Sequence, residues 1–384
     1  MDQEQSTRLS TFLEMVPDPR KRRGKRYDWG FLLSVICFGL ASGQKTIWAI
    51  AEWAQWRGTE LLKGFQPSYA RIPSASTLYR AMREVDLDAL EQIMGAYGKS
   101  VSDWITNHDE TQEPRSRWRG VAVDGKELRG AGKHGPKVHL VSLVTHQQGV
   151  TLSQERVAEK AYEPHALEHM LERLDIADQV ITLDALYTHK DMARRIVDHS
   201  SHYFMMVKGN QPQLREDIAH LFAERPSPGE ARWECSSCEK AHGRIERRQV
   251  LSSETLNTFL DWPQVGQVVQ RTCTQARSLK SEPSTNTSWA ITSLTHAQAS
   301  VDELAALWRE HWVIENRVHY VRDETLGEDR GQIAKGHAPQ ALASLRNAVL
   351  TALRSRGWSR IAQALRYHAA NIQCSTLLLT GALT

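Results

Sequence analysis

Apolar positions recur at helical spacing over the first hundred residues and change to short, nearly uninterrupted runs after residue 119. Phe31 to Leu40 is almost wholly apolar and predicts a buried helix segment. Thr46 to Trp56 carries Ile47, Ile50, Ala51 and Ala54 on one helical stripe. Ser74 or Ser76 is a good N-cap for the helix that follows Arg71-Ile-Pro. Residues 101–118 are polar, contain Pro114 and suit a linker. Val121-Ala-Val123 then runs into Asp124-Gly-Lys as a strand entering a turn. Val138 to Thr145 and Val150 to Val157 predict two more strands, 164–174 a helix, and Val180 to Leu183 a short buried strand ending at Asp184. A helix over 189–199, a strand from Tyr203 to Val207 and a helix from Gln211 to Phe222 follow. Residues 225–295 predict short strands between Pro, Ser, Gly and Thr clusters, with Ser281 to Ser288 as an exposed loop. The pattern is helical again from Val301 to about Arg322, and over 338–354 and 358–369. Three antiparallel strands followed by alternating helix and strand imply an α/β fold, a mixed sheet with helices on its faces.

Composition narrows the class. Of 384 residues, 41% are hydrophobic and 24% charged, enough for a packed core and too apolar for global disorder. At roughly 100–200 residues per domain, the length predicts two or three domains. The net charge of +3 is a weak pointer to any partner, but residues 20–26 read Arg-Lys-Arg-Arg-Gly-Lys-Arg. Such a block neutralises phosphates and makes binding salt-dependent; a solubilising tail is the alternative. Five cysteines fit a reducing compartment better than a disulfide framework. The N-terminus is polar, and the most apolar run is about half the roughly 20 residues a membrane span needs. A cytoplasmic protein without a membrane partner is expected.

Asp124 and Asp184 each end an apolar strand, where a side chain is held at a sheet rim and ligands bind in α/β folds. Mg²⁺ prefers oxygen ligands and usually takes one or two carboxylates, and a pair of such ions serves phosphoryl transfer. The plain alternative is that both are turn residues, since Asp is common after strands. Trp308, His311, Glu315, His319 and Arg322 recur at steps of three and four, a stripe that makes a poor core and a good active-site wall, or else a solvated helix face. Glu315 is the candidate third acid, with Asp323, Glu324, Glu328 and Asp329 as rivals.

The run Val121-Ala-Val-Asp-Gly-Lys-Glu-Leu-Arg-Gly resembles the first-aspartate motif of the H-repeat-associated insertion-sequence transposases, acidic-triad enzymes. So do His139-Leu-Val-Ser, Thr182-Leu-Asp-Ala-Leu-Tyr-Thr-His, Val207-Lys-Gly-Asn-Gln-Pro, His242-Gly-Arg-Ile-Glu and His311-Trp-Val-Ile-Glu-Asn. Asp18-Pro-Arg-Lys-Arg-Arg-Gly-Lys-Arg-Tyr and Ala49-Ile-Ala-Glu-Trp-Ala look like that family's associated N-terminal domain. The resemblance implies a ribonuclease-H-like catalytic core over 119–384, with a β-rich insertion at about 210–295. It also implies a small all-α DNA-binding domain over 1–100 and a linker at 101–118. Asp124, Asp184 and Glu315 match the three acids, which implies two Mg²⁺ or Mn²⁺ ions. DNA is the implied partner, both the element's terminal inverted repeats and the target. A homodimer on DNA is expected because two ends must be joined, in a bacterial, nucleoid-associated setting. Trp308, His311 and Arg322 stand where relatives carry Tyr, Arg and Lys. His for Arg weakens the expected phosphate contact, since free His is mostly uncharged near neutral pH.

Further DNA contacts are expected from Arg20, Lys21, Arg22, Arg23, Lys25 and Arg26. Tyr79 and Arg80 are candidates on a possible recognition helix. Lys126 and Arg129 follow the first aspartate. Lys208 and Asn210 lie at a helix N-terminus able to grip a phosphate. His242 and Arg244, with His311, His319 and Arg322, complete the set. Each has a plain reading as a solvated or turn residue. Cys235-Ser-Ser-Cys238 with His242 hints at zinc, but no second pair follows and Cys273 is isolated. No nucleotide-binding glycine loop and no Gly-x-Ser-x-Gly elbow occurs, so ATPase and serine hydrolase readings have no support. An active transposase is the leading expectation. A catalytically silent DNA-binding descendant and a ribonuclease-H-like nuclease without strand transfer stay open.

Overall fold

The computed structural model describes residues 7–21, 25–108, 117–133, 135, 137–241, 244–276 and 282–381. Six helices open the chain: α1 Leu9–Met15, α2 Trp29–Ala41, α3 Ile47–Trp56, α4 Gly58–Phe65, α5 Ala75–Glu84 and α6 Leu87–His108. They are followed by β1 Arg119–Glu127, a short α7 Arg129–Gly132, β2 His139–Thr145, β3 Thr151–Val157 and α8 Glu163–Arg173. Next come β4 Gln179–Leu183, α9 Lys190–Asp198, β5 His202–Val207 and α10 Pro212–Ala223. The β-rich stretch holds β6 Arg232–Ala241, β7 Arg244–Ser253, β8 Gln267–Ala276 and β9 Ser284–Thr292. Helices α11 Val301–Glu310, α12 Ala338–Ser355, α13 Ile361–Ala370 and α14 Ile372–Thr380 follow. The protein is thus mixed α/β, and the chain divides into two compact units.

The first unit comprises Met1–Gln112, Gly125–Tyr162 and Val313–Thr384. Its core joins the N-terminal helices to the last three: Phe38, Trp53, Leu78 and Tyr97 pack in one cluster with Leu345, Val349 and Leu379. Helix α2 is buried on nearly every side, which is why its sequence is apolar without a polar face. Thr46 and Ser74 cap α3 and α5, each accepting from a backbone N–H one turn on. Helix α6 runs on through 101–108, within the polar segment that suits a linker. Val101 is fully buried, and Trp104 and Ile105 pack against the core, so the apolar stripe continues; Pro114 lies outside the described residues. Strands β2 and β3 form an antiparallel pair, with His139 opposite Val157. Helix α6 lies directly on β3, and Gly95 permits it: a Cβ there would stand 2.6 Å from the Leu152 carbonyl oxygen.

The second unit comprises Glu113–Asp124 and Glu163–Trp312. Its strands are ordered β1-β4-β5-β9-β8-β7-β6. β1, β4 and β5 are parallel, and β5 to β6 are joined by antiparallel pairs. Phe204, Val250, Val269, Leu304 and Trp308 form its apolar cluster. Ser284 to Ser288 is strand, not the expected loop: β9 pairs with β8 from Ser284 onward, its first side chains exposed while its backbone joins the ladder. The helical stretch expected to about Arg322 is present, but it is not one uniform α-helix. Helix α11 ends at Glu310, and 314–319 and 321–325 form wide turns, with Leu326 N–H donating to the Val321 carbonyl at 2.9 Å. A wide turn shifts which side chains share a face, so spacings of three and four lose their meaning across it. Among the described residues no helix is long and apolar enough to cross a membrane.

Candidate active site

Parallel pairing of β1 with β4 runs from Arg119↔Gln179 to Val123↔Leu183. The next residue on each strand's path is an aspartate, so the register sets Asp124, within β1, beside Asp184, just after β4; β1 runs on to Glu127 and does not turn at Asp124 as expected. Both are partly exposed. The Lys208 ammonium donates to Asp184 Oδ1 at 2.8 Å. Burial raises the Asp184 carboxyl, and the Lys208 hydrogen bond and charge, with His311 nearby, outweigh it and hold the group below its ordinary range. Tyr187 lies buried beneath, donating its hydroxyl to Glu163 at 2.7 Å. Burial, the Glu163 carboxylate and the charges of Asp124 and Asp184 together push its phenol far above the usual value. Glu163 and Tyr187 were missed as candidates. Tyr187 stands inside a motif singled out for its aspartate, whereas Glu163 carried no sequence signal.

Two turns that support the aspartates are fastened together. Asn210 Nδ2 donates to the Ala185 carbonyl at 2.6 Å, and Gln211 Nε2 to the Thr188 carbonyl at 2.9 Å. Thr188 Oγ1 donates to the Met206 carbonyl at 2.7 Å. The motifs around Asp184 and Lys208 are therefore one structural piece. Asn210, a residue expected on DNA, donates its amide to Ala185 in this structure. His311 is buried and shares a 2.9 Å hydrogen bond with Thr182 Oγ1, beside Asp184 on β4.

Glu315 belongs to the first unit, on the first wide turn, with its side chain half exposed. Buried His319 stands 3.6 Å from it. Burial lowers the His319 imidazole, only partly offset by the Glu315 hydrogen bond. Two of the rival acids hold buried cations. Asp323 accepts from Lys126 Nζ at 2.6 Å, and Glu328 takes Arg322 at 2.8 Å and Arg346 at 3.2 Å. Glu324 pairs with Arg330 at 3.2 Å at the surface.

Several of the residues expected to contact phosphates are buried. Arg322 is fully enclosed, its guanidinium bonded to Glu328, Gln154 and Asn347. Lys126, His311 and His319 are also buried. Trp308 is no active-site wall: it is 1% exposed, packed edge-on against Phe204 under the Arg271 guanidinium. The basic block is partly bound within the protein. Arg20 and Lys25 share Asp18 at 2.8 and 2.9 Å, and Arg26 lies over the Tyr69 ring. Tyr79 packs beside Trp48. Lys21, Arg80, Arg129, Lys208 and Arg244 are exposed. Arg22, Arg23 and His242 lie outside the described residues. Cys235 and Cys238, three apart on β6, point to opposite faces of the sheet and cannot grip one zinc ion.

Two carboxylates, Asp124 and Asp184, thus stand next to each other where the parallel pairing of β1 with β4 ends. The chain belongs to the Transposase DDE domain family, whose model matches residues 116–352; a second model, DDE_Tnp_1-associated, matches residues 10–98. The chain is 26% identical to "Putative transposase YncI" of Escherichia coli O157:H7, over 90% of this chain and 87% of that protein. It is also 26% identical to "H repeat-associated putative transposase YhhI" of Escherichia coli strain K12, over 61% and 63% respectively. Among solved structures, the piggyBac transposase synaptic complex with hairpin DNA gives a TM-score of 0.42 at 7% identity, covering 99% of this chain and 76% of that one.

Proposed function

We propose that the protein is an active transposase that binds the ends of its own element and cuts and rejoins DNA, with Asp124, Asp184 and Glu315 as its acidic triad. The observation that carries this reading is the β1–β4 register, which sets two aspartates side by side in a chain of the DDE family. The half-exposed carboxylate of Glu315 supports the third assignment, since Asp323 and Glu328 are engaged by Lys126, Arg322 and Arg346. The donor set fits Mg²⁺ or Mn²⁺: hard carboxylate oxygens, open to solvent and to phosphate ligands. When bound, two such ions activate the attacking oxygen and stabilise the leaving one. The protein's own part is to hold the carboxylates rigidly and leave their outer face open. Tyr187 and Glu163 brace the aspartate pair from beneath, and His311 with Thr182 fixes β4 next to Asp184.

The catalytic part is read as ribonuclease-H-like. Supporting this are an antiparallel β2–β3 pair, β4 and β5 parallel to β1, and a four-stranded β-rich insertion before the last acid. DNA is the partner, in the cytoplasm at the nucleoid, and a homodimer joins two ends. Residues 1–100 recognise the ends, with Tyr79 and Arg80 on capped α5. Lys21, Arg129, Lys208 and Arg244 are exposed cations for phosphates, and each such contact steepens the salt dependence of binding.

The test is incubation of the protein with DNA carrying the element's ends and Mg²⁺. End-specific nicks with joined products are expected. Cuts without joining would make the protein a nuclease, and a mobility shift without cuts a silent binder.

A further inference from the structure

Lys208 is exposed, yet its ammonium lies 2.8 Å from Asp184 Oδ1. The backbone that carries it is held by Asn210 and Gln211 on the Asp184 turn, so the lysine can swing on its flexible stem without moving the turn. The adjacent Gly209 has no internal reason to be glycine. Its φ is not left-handed, and a Cβ there would meet nothing within 4 Å. The bare backbone beside Lys208 faces outward and leaves room for a bulky external group.

We propose that the Lys208 ammonium is a stand-in for a divalent cation on Asp184, surrendered to the metal and then turned to a DNA phosphate. This rests on the reading of Asp184 as a metal ligand. Two aspartates held side by side repel each other, and one ammonium on Asp184 relieves that repulsion when no metal is present. An ammonium and a divalent cation compete for the same carboxylate oxygen. Once displaced, Lys208 keeps its charge and stands next to Gly209, where a phosphodiester has space to approach. The lysine thus couples metal loading to grip on DNA.

The coupling is measured on the full-length chain. Mn²⁺ binding without DNA is followed by electron paramagnetic resonance of the free ion. Lys208→Met is expected to bind Mn²⁺ about two- to five-fold more tightly, the range set by losing one exposed charge pair. Lys208→Arg, which keeps the charge, and Lys190→Met, a lysine paired with Asp261 in the same unit, should match the wild type. With a generic DNA duplex, Lys208→Met should lower the slope of log affinity against log salt by about 0.9 when Mn²⁺ is present, and leave it unchanged without Mn²⁺. Unchanged or weaker Mn²⁺ binding by Lys208→Met overturns the proposal, as does equal tightening by Lys190→Met. Asp184→Asn separates the two readings: Mn²⁺ binding as tight as the wild type's would remove Asp184 from the metal ligands altogether.

Discussion

Two of the acid–base clusters among the described residues have opposite characters. At the carboxyl end of β4 in the second unit, Asp184 is partly open to solvent and holds the exposed Lys208 and the Ala185 backbone N–H. In the first unit, Arg322, Arg346, Glu328, Asn347, Gln154, Ser344 and Glu91 form a closed network, nearly every hydrogen bond directed at another member. Such a network fixes β3, α6, α12 and the turn after α11 to one another. An open cluster has coordination to spare. Chemical type alone does not separate them, since both contain carboxylates and cations. What separates them is whether the partners are inside the protein.

The sharpest way to break the comparison is to neutralise one acid from each cluster. Asp184→Asn should abolish DNA cleavage, while denaturant unfolding shifts by no more than about 0.5 kcal/mol, as for exposed positions generally. Cleavage near the wild-type rate would remove Asp184 from the triad.

Glu328→Ala should do the reverse. It leaves Arg322 and Arg346 buried without their counter-charge, which costs about 3–5 kcal/mol of folding stability. Urea melts that coincide with those of the wild type would mean that the network is not the anchor described here.

Glu91 gives a smaller, pH-dependent effect. Burial pushes its carboxyl up to about 7, against hydrogen bonds from Ser344, Gln154 and Gln340 and the Arg322 charge, which pull it down. An acid whose folded value is raised holds its proton better in the folded state. Stability from this group is therefore present below the unfolded value, near 4.5, and is lost as pH rises toward about 7. The loss is on the order of 3 kcal/mol. Glu91→Gln keeps the shape and removes the ionisation, so its stability relative to the wild type should rise between pH 4.5 and 7 and then level off. A difference independent of pH would show that Glu91 does not titrate in this way.

The strands that carry the aspartates were legible because period and punctuation are local. Val121 to Val123 and Val180 to Leu183 are apolar runs ending in Asp, and a buried parallel strand leaves that mark. Helix α5, with its serine cap, was legible for the same reason. The stripe from Trp308 to Arg322 was not, because it assumed unbroken helical turns. Trp308, on α11, lies in an apolar core, whereas Arg322, beyond the wide turns that begin after residue 313, lies among buried polar groups.

By itself the sequence determined most of the element types, the apolar runs that lead into Asp124 and Asp184, and the resemblance to a transposase family. It could not decide which of Lys126, Lys208, His311 and Arg322 remain open to a ligand. It also gave no sign that the last three helices complete the core of the first six. Those facts rest on contacts between residues far apart along the chain: Arg322 meets Gln154 and Asn347, and Glu91 meets Ser344. The free energy of a charged group depends on the partners and solvent around it, and only the folded chain brings those partners within reach.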